Sequence, residues 1–259
     1  MAVEVIDSAD DPRVADFRQL KGRPGNDPVI VESEAVVARL AESPFEVRSY
    51  LLTPHRYERL QEHLVLGVPV YLAERDVMEG IVGFDLHRGA LAAASPPPPP
   101  DLETLARQAR RIVVLEGSND QENIGAIARS ARGLGVDGLV LDPTCADPYN
   151  RRSMRVSMGE LLYLPVVRSR TWPDPLATLA AAGFELWALT PRASANSLYE
   201  MGLPGKVALV AGAEGPGLTP ATLARVHYDV RIPMHHGVDS LNLGHALAVA
   251  MAAVSPPAD

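Results

Sequence analysis

Hydrophobic residues in the C-terminal half of the chain fall into short, nearly continuous runs separated by stretches with helical periodicity. The runs predict strands at 111–116, 138–141, 161–167, 184–189, 207–211 and 228–232. The stretches between them predict helices at 123–134, 175–182 and 241–254. Apolar strands that alternate with helices are typical of a mostly parallel sheet covered on both faces. We therefore expect an α/β domain in this half.

The N-terminal part shows the same alternation on a smaller scale. Its pattern predicts strands at 28–32, 47–52 and 68–72. It also predicts helices at 33–41, with Ser33 as the cap, at 54–64 and at 74–79. This spacing favours a small α/β layer.

Five consecutive prolines occupy positions 96–100. Proline cannot donate a backbone hydrogen bond, and a proline run favours a stiff extended rod. We interpret the run as a linker between an N-terminal domain, 1–95, and a C-terminal domain, 101–259. A ligand motif for a proline-binding partner is the alternative.

Composition and charge restrict the possible functions. The chain has 259 residues, with 24 lysines and arginines against 32 aspartates and glutamates, and its net charge is −8. This charge argues against non-specific nucleic-acid binding over the whole surface, but it allows a local basic groove. The single cysteine, Cys145, excludes a disulfide scaffold and a multi-cysteine metal site. We expect no metal, no membrane segment and a cytoplasmic location.

The segment 116–131 begins with a polar loop after one of the predicted strands and leads into the predicted helix at 123–134. Asn123 lies near the predicted start of this helix, and Arg129 follows within its first turns. Amide groups at a helix start can bind an anion or a polar ligand. The alternative is an ordinary capped helix with a solvated arginine.

A second polar segment contains Gly212, Glu214 and Gly217, directly after a buried strand. Glycines allow positive φ angles and a close approach of the backbone to a ligand. The spacing matches neither the dinucleotide-binding glycine motif nor a P-loop, which needs a lysine after its last glycine. A tight turn without a ligand remains open.

A third segment places Ser240 and Asn242 at the start of an otherwise apolar helix. Ser240 could be a plain N-cap. Asn242 is harder to explain in this way, because an amide in the first turn of a buried helix needs hydrogen-bond partners.

Taken together and in this order, the three segments resemble the SpoU (TrmH-like) RNA 2′-O-ribose methyltransferases of the SPOUT superfamily. The resemblance covers about 111–254. It rests on N-x-G-x-x-x-R at 123–129, G-x-E-x-x-G at 212–217 and S-L-N at 240–242, with family-like connecting segments at 155–159 and 164–166.

The resemblance implies a SPOUT-type α/β fold, a mostly parallel sheet with a C-terminal trefoil knot whose loops hold S-adenosylmethionine. It implies a homodimer that pairs through the knot region and completes the site across the interface. The implied cofactor-binding residues are Leu189, Thr190, Gly212, Ile232, Met234 and Leu241.

The N-terminal part looks like the small RNA-binding domain of this family, but the match is looser. Ser33 stands where the pattern usually has glycine, and the segment 86–89 fits only in part.

The implied activity is S-adenosylmethionine-dependent 2′-O-methylation of a ribose in structured RNA, above all ribosomal RNA. Arg129 would hold a phosphate or stabilise the developing alkoxide, because a guanidinium is effectively never deprotonated. The residues placed around it by the resemblance are Asn123, Glu214, Ser240 and Asn242.

Basic clusters are the candidates for RNA contacts. The densest in the C-terminal half contains Arg151, Arg152 and Arg155, with Arg168 and Arg170, and another near the N-terminus contains Arg13, Arg18, Lys21 and Arg23. A solvated surface is the alternative for each cluster. Three alternatives remain: a tRNA ribose methyltransferase, a catalytically silent RNA-binding paralogue, and an α/β enzyme that uses the glycine loop for a nucleotide.

Overall fold

Twelve strands are found in the described part of the computed structural model, which comprises residues 3–18, 20, 28–86 and 89–255. The predictions at Lys21, Arg23 and 87–88 lie outside these residues. In chain order the strands are β1 Val3–Val5, β2 Val29–Glu32, β3 Glu46–Leu52, β4 Val70–Leu72, β5 Ala90–Ser95, β6 Arg111–Glu116, β7 Gly138–Leu141, β8 Val166–Arg168, β9 Glu185–Leu189, β10 Asn196–Ser197, β11 Val207–Gly212 and β12 Tyr228–Arg231.

The α-helices lie between these strands and at the C-terminal end. They are α1 Glu34–Ala41, α2 Pro54–Leu60, α3 Arg75–Val82, α4 Leu102–Gln108, α5 Gln121–Gly133, α6 Arg151–Val156, α7 Asp174–Ala181, α8 Pro220–Leu223 and α9 Leu243–Val254. Short 3-10 helices occur at Pro12–Phe17, Gln61–His63, Glu160–Leu162 and Leu198–Glu200. No helix in the described ranges is long and apolar enough to cross a membrane.

The chain divides into two compact units, and the first combines Met1–Pro98 with Tyr149–Tyr163. Its five strands form a mixed sheet in the order β1-β4-β3-β5-β2. β1 and β3 run parallel to β4, whereas β5 is antiparallel to both β2 and β3. The core on one side of this sheet includes Phe17, Leu51, Met78 and Leu91.

The segment 149–163 groups with the first unit, and not with the domain 101–259 to which the sequence analysis assigned it. Its helix α6 packs against β2, and the hydroxyl of Tyr163 donates to the carbonyl of Arg39 at 2.6 Å. The strand predicted at 161–167 was placed too early. Leu161 and Leu162 are buried in a 3-10 helix, so their apolar run merges with that of the strand that follows.

The second unit, Pro99–Pro148 with Leu164–Asp259, contains a fully parallel seven-stranded sheet. The strand order is β10-β12-β9-β11-β6-β7-β8. Apolar side chains of β6, β7, β9 and β11 pack under α4 and α7 in a core that includes Ile112, Val140, Leu176, Leu186 and Val210. The predicted α/β fold with a mostly parallel sheet is confirmed.

Candidate functional site

A cavity of about 450 Å³ lies in the second unit, at the carboxyl ends of three neighbouring strands. These strands are β12, β9 and β11, in that order across the sheet. Ligands of open α/β sheets bind at this edge, because the loops that leave the strands there can surround a ligand. The size of the cavity lies within the usual range of small-molecule sites.

The six residues predicted to bind the cofactor all line this cavity: Leu189, Thr190, Gly212, Ile232, Met234 and Leu241. Three of the residues predicted to be catalytic also line it, namely Glu214, Ser240 and Asn242. Further lining residues were not predicted and include Pro191, Ala213, Val230, Asp239 and Ala246. The only sequence signal for these is that each lies next to, or within a few residues of, a predicted one.

A hydrogen-bonded network joins the three sequence motifs at the edge of the cavity. Oε1 of Glu214 accepts from Nδ2 of Asn242 at 2.7 Å, from the backbone N–H of Leu243 at 3.0 Å and from Nδ2 of Asn123 at 3.2 Å. Nδ2 of Asn242 also donates to Oδ1 of Asn123 at 3.0 Å. One carboxylate oxygen therefore fixes the relative positions of two loops and the start of α5.

Asn242, rather than Ser240, is the N-cap of α9. Its Oδ1 accepts from the backbone N–H groups of Gly244 at 2.9 Å and His245 at 3.4 Å. The predicted helix start at 241 is therefore two residues too early, and Ser240 is an exposed residue of the preceding loop. The expectation that the Asn242 amide needs partners is confirmed.

Gly212 is required by a close approach of backbone to backbone. A Cβ atom at this position would lie 2.2 Å from the carbonyl carbon of Gly217 and 2.5 Å from the nitrogen of Leu218. Its φ is not positive; the positive values in this loop belong to Gly215 and Gly217. The Gly217 N–H also donates to the Ala213 carbonyl at 2.9 Å. The loop after β11 is thus folded tightly on itself.

Arg129 lies apart from the network. Helix α5 begins at Gln121 with Asp120 as its N-cap, two residues before the predicted start. Asn123 is therefore the third residue of the helix, and Arg129 is in its third turn. Arg129 is exposed and does not line the cavity. Within the described ranges it makes no hydrogen bond or ion pair.

The three arginines proposed to bind RNA lie on α6, in the first unit. An Nη1 of Arg151 is 2.8 Å from Oε2 of Glu32, and an Nη1 of Arg155 is 3.8 Å from the same oxygen. Glu32 is buried, with 6% exposure, and the Arg151 guanidinium also covers the ring of Phe84 at 4.1 Å. Arg152 is exposed.

Metal ligands and the single cysteine are other groups that could carry site chemistry. No group of three or more His, Cys, Asp or Glu side chains in the described part of the chain is arranged to hold a metal ion. Burial, with a hydrogen bond to Asp142 as a second cause, raises the pKa of the Cys145 thiol to about 12. This thiol is therefore a protonated core group at neutral pH.

The second unit is an α/β fold with a cavity that is lined by loops and bordered by one polar network. The family model described as the SpoU rRNA Methylase family matches residues 110–252. The chain belongs to this family.

Relatives and solved structures cover nearly the whole chain. An uncharacterized tRNA/rRNA methyltransferase of Mycobacterium tuberculosis is 44% identical in an alignment that covers 96% of this chain and 90% of the relative. A 23S rRNA (guanosine-2′-O-)-methyltransferase, RlmB, of Xanthomonas campestris is 32% identical over 86% of this chain and 93% of its own length. The AdoMet-bound rRNA methyltransferase of Sinorhizobium meliloti has the same fold, with a TM-score of 0.84, 23% identity and 97% coverage of both chains.

Proposed function

We propose that the protein transfers a methyl group from S-adenosylmethionine to a ribose 2′-hydroxyl of structured RNA, most directly ribosomal RNA. The observation that carries this proposal is the convergence of Asn123, Glu214 and Asn242 at the edge of a cofactor-sized cavity. The name of the RlmB relative describes the same reaction on 23S rRNA.

The cavity residues fit S-adenosylmethionine. Leu189, Ile232 and Leu241 offer apolar surface for a flat adenine ring, and Thr190 offers a hydroxyl. The carboxylates of Glu214 and Asp239 suit a ligand that carries positive charge. The tightness at Gly212 leaves no room for a side chain in this wall. When bound, S-adenosylmethionine supplies an electrophilic methyl group on a positively charged sulfur.

The chain must align the 2′-oxygen and stabilise the charge that develops on it. We assign this stabilisation to Arg129, as a charge-assisted donor to the ribose oxygen or to an adjacent phosphate. Glu214, Ser240 and Asn242 would position the ribose and the cofactor. Asn123 would orient the RNA or fix the loop geometry through its bonds to Glu214 and Asn242.

We further propose a homodimer in which the site is completed across the interface, as the family resemblance implies. Arg129 does not line the cavity of its own chain, which supports a role for it in the cavity of a second copy. Large apolar side chains of the second unit are exposed, which supports an interface on this unit: Tyr199 by 70%, Leu203 by 62%, Val238 by 51% and Leu241 by 36%.

The trefoil knot is part of the same proposal. Two segments that are distant along the chain, 211–217 and 239–243, form walls of one cavity and are linked by the Glu214–Asn242 hydrogen bond. The family resemblance implies a knot here, and this contact between two C-terminal loops supports it. The knot would hold the two cavity walls together within the second unit alone.

For RNA binding we propose the three arginines of α6, with the N-terminal domain governing the choice of RNA. Arg152 is exposed, and Arg155 is 40% exposed despite its weak pairing with Glu32. We place the protein in the cytoplasm, where ribosomal RNA is found.

Two measurements test this function. Calorimetry should show that S-adenosylmethionine binds without added metal, whereas ATP and NAD do not. A map of 2′-O-methyl positions in RNA from a deletion strain should lack one ribosomal RNA position that the parent strain carries. Loss of a tRNA position instead would support the tRNA alternative, and no loss would support a silent paralogue.

A further inference from the structure

Glu116, the last residue of β6, is a buried carboxylate held only by neutral donors. Its side chain accepts hydrogen bonds from Nε1 of Trp172 at 2.7 Å, from Oγ1 of Thr219 at 2.8 Å and from Oγ1 of Thr222 at 3.0 Å. Its Oε2 accepts from the backbone N–H of Thr219 at 3.0 Å. Glu116 is 5% exposed and has no Lys or Arg partner in the described ranges. Burial of a charge is costly unless its hydrogen bonds are well made.

Glu116 lies next to both ends of the loop that follows β11, residues 213–218. β6 and β11 are parallel neighbours, and Glu116 pairs in register with Gly212, where the loop begins. The loop ends at Thr219, the N-cap of α8, which the Glu116 carboxylate binds through both its hydroxyl and its N–H. One residue thus closes the base of the loop.

The interior of this loop is held by the hydrogen bond from Gly217 to Ala213 and by the three bonds that the Glu214 carboxylate accepts, whereas the two ends of the loop are held at Glu116. Residues 214–217 are exposed. The same loop carries Glu214, whose carboxylate organises the polar network, and it forms one wall of the cavity. A small shift of the loop ends would therefore move both the network and the wall.

We propose that Glu116 is a positioning residue that fixes the loop 213–218, and through it the Glu214 carboxylate and one wall of the cofactor cavity. This inference rests on the proposed function, since it concerns the binding of S-adenosylmethionine. Glu116 does not line the cavity itself, so it acts only through the loop.

Two variants remove one hydrogen bond each from the same carboxylate, on different sides. Thr219→Val removes a hydroxyl donor at the end of the loop and, with it, the N-cap bond from the N–H of Thr222. Trp172→Phe removes an indole donor that lies outside the loop and, with it, a bond to the hydroxyl of Thr222. Glu116→Gln keeps the size of the side chain but replaces one acceptor oxygen by an NH₂ group, which cannot accept from Thr219. Calorimetric titration with S-adenosylmethionine, melting curves and hydrogen exchange of the ligand-free proteins should be measured for all three variants.

We expect Glu116→Gln and Thr219→Val to weaken S-adenosylmethionine binding about tenfold and to speed amide exchange within 213–218. Trp172→Phe should keep the affinity within about twofold, although it lowers the melting temperature to a similar degree. Equal loss of affinity in the Thr219 and Trp172 variants would show that the Glu116 carboxylate supports only the stability of the fold. This result would overturn the inference. This pair decides the question even if Glu116→Gln does not fold.

The wild-type titration separates the two possible failures. Wild-type protein that binds no S-adenosylmethionine would overturn the proposed function and this assignment with it. Wild-type binding together with unchanged affinity and unchanged loop exchange in folded Glu116→Gln would overturn the positioning role alone.

Discussion

Two proposed RNA-binding arginines of the first unit and the proposed catalytic arginine of the second have very different surroundings. In the first unit, Arg151 and Arg155 share the buried carboxylate of Glu32. In the second unit, Arg129 is exposed and has no ion pair among the described residues. Removal of one member of a buried pair leaves an uncompensated charge and affects stability, whereas removal of an exposed, unpaired arginine affects only what it binds. These arginines are all candidate RNA contacts in the sequence, but their surroundings predict different results when each is replaced.

The largest expected effect concerns the cavity wall of the second unit. Gly212→Val should abolish S-adenosylmethionine binding, because any Cβ atom there collides with the backbone of Gly217. Calorimetric titration measures this directly. A matched control is Gly205→Ala, where a Cβ atom meets nothing within 4 Å, and affinity should be unchanged. Unchanged affinity in folded Gly212→Val protein would remove Gly212 from the binding site.

The next effect separates catalysis from binding at Arg129. Arg129→Ala should lower methyl transfer by about 10²–10³-fold, the scale of losing one preorganised donor in a transition state. The affinity for S-adenosylmethionine should barely change. Arg129→Lys should restore little, because an ammonium lacks the planar fork of the guanidinium.

Single-turnover methylation of ribosomal RNA, alongside cofactor titration, measures both quantities for these variants. Near-normal turnover in Arg129→Ala would contradict the catalytic role. Arg129 would then be an ordinary solvated arginine on the surface of the helix.

A smaller effect distinguishes the two arginines that share Glu32. Arg151→Gln should lower the free energy of unfolding by about 2 kcal/mol, because it leaves a buried carboxylate with only a distant partner. Arg155→Gln should change it by less than about 0.5 kcal/mol, as expected for a weak and partly exposed pair. Urea unfolding provides both values, with exposed Arg170→Gln as the control.

The Arg155→Gln variant also tests whether α6 contacts RNA. If Arg155 contacts a phosphate, Arg155→Gln should reduce the salt dependence of RNA binding by about one counterion. An unchanged salt dependence would exclude Arg155 from the RNA surface.

The smallest expected effect is a gain in stability at Ser33. This residue has φ +93°, a value that favours glycine, and its buried hydroxyl has no hydrogen-bond partner among the described residues. Ser33→Gly should raise the free energy of unfolding by about 1 kcal/mol, because relief of strain and of the unpaired hydroxyl exceeds the entropy cost of glycine. A lower melting temperature for the variant would contradict the claim that Ser33 is less stable than glycine at this position.

The sequence predicted some parts of the fold well for physical reasons. β6, β7 and β11 are buried apolar runs, and their bounds were predicted to within one residue. β5 was missed because its Ala-rich sequence lacks the β-branched residues typical of strands, and only its burial on both faces explains it. The helices α4, α6 and α8 were missed because they are short and carry weak periodicity.

The site was predictable where polar residues interrupt apolar patterns, as Asn242 does. Glu116 could not be identified in this way, because a glutamate at a strand end is equally common in a solvated loop. Its partners Trp172 and Thr219 lie 56 and 103 residues away in the chain. Only the three-dimensional structure brings these residues together.

The most direct test of the central claim is methyl transfer to RNA by the purified protein. Ribosomal RNA from a deletion strain should be incubated with S-adenosylmethionine that carries a labelled methyl group, and the product digested to nucleosides. We expect label in a single 2′-O-methyl nucleoside with wild-type protein and almost none with Arg129→Ala. Label on a base, or no transfer to ribosomal or transfer RNA by a protein that binds the cofactor, would contradict it.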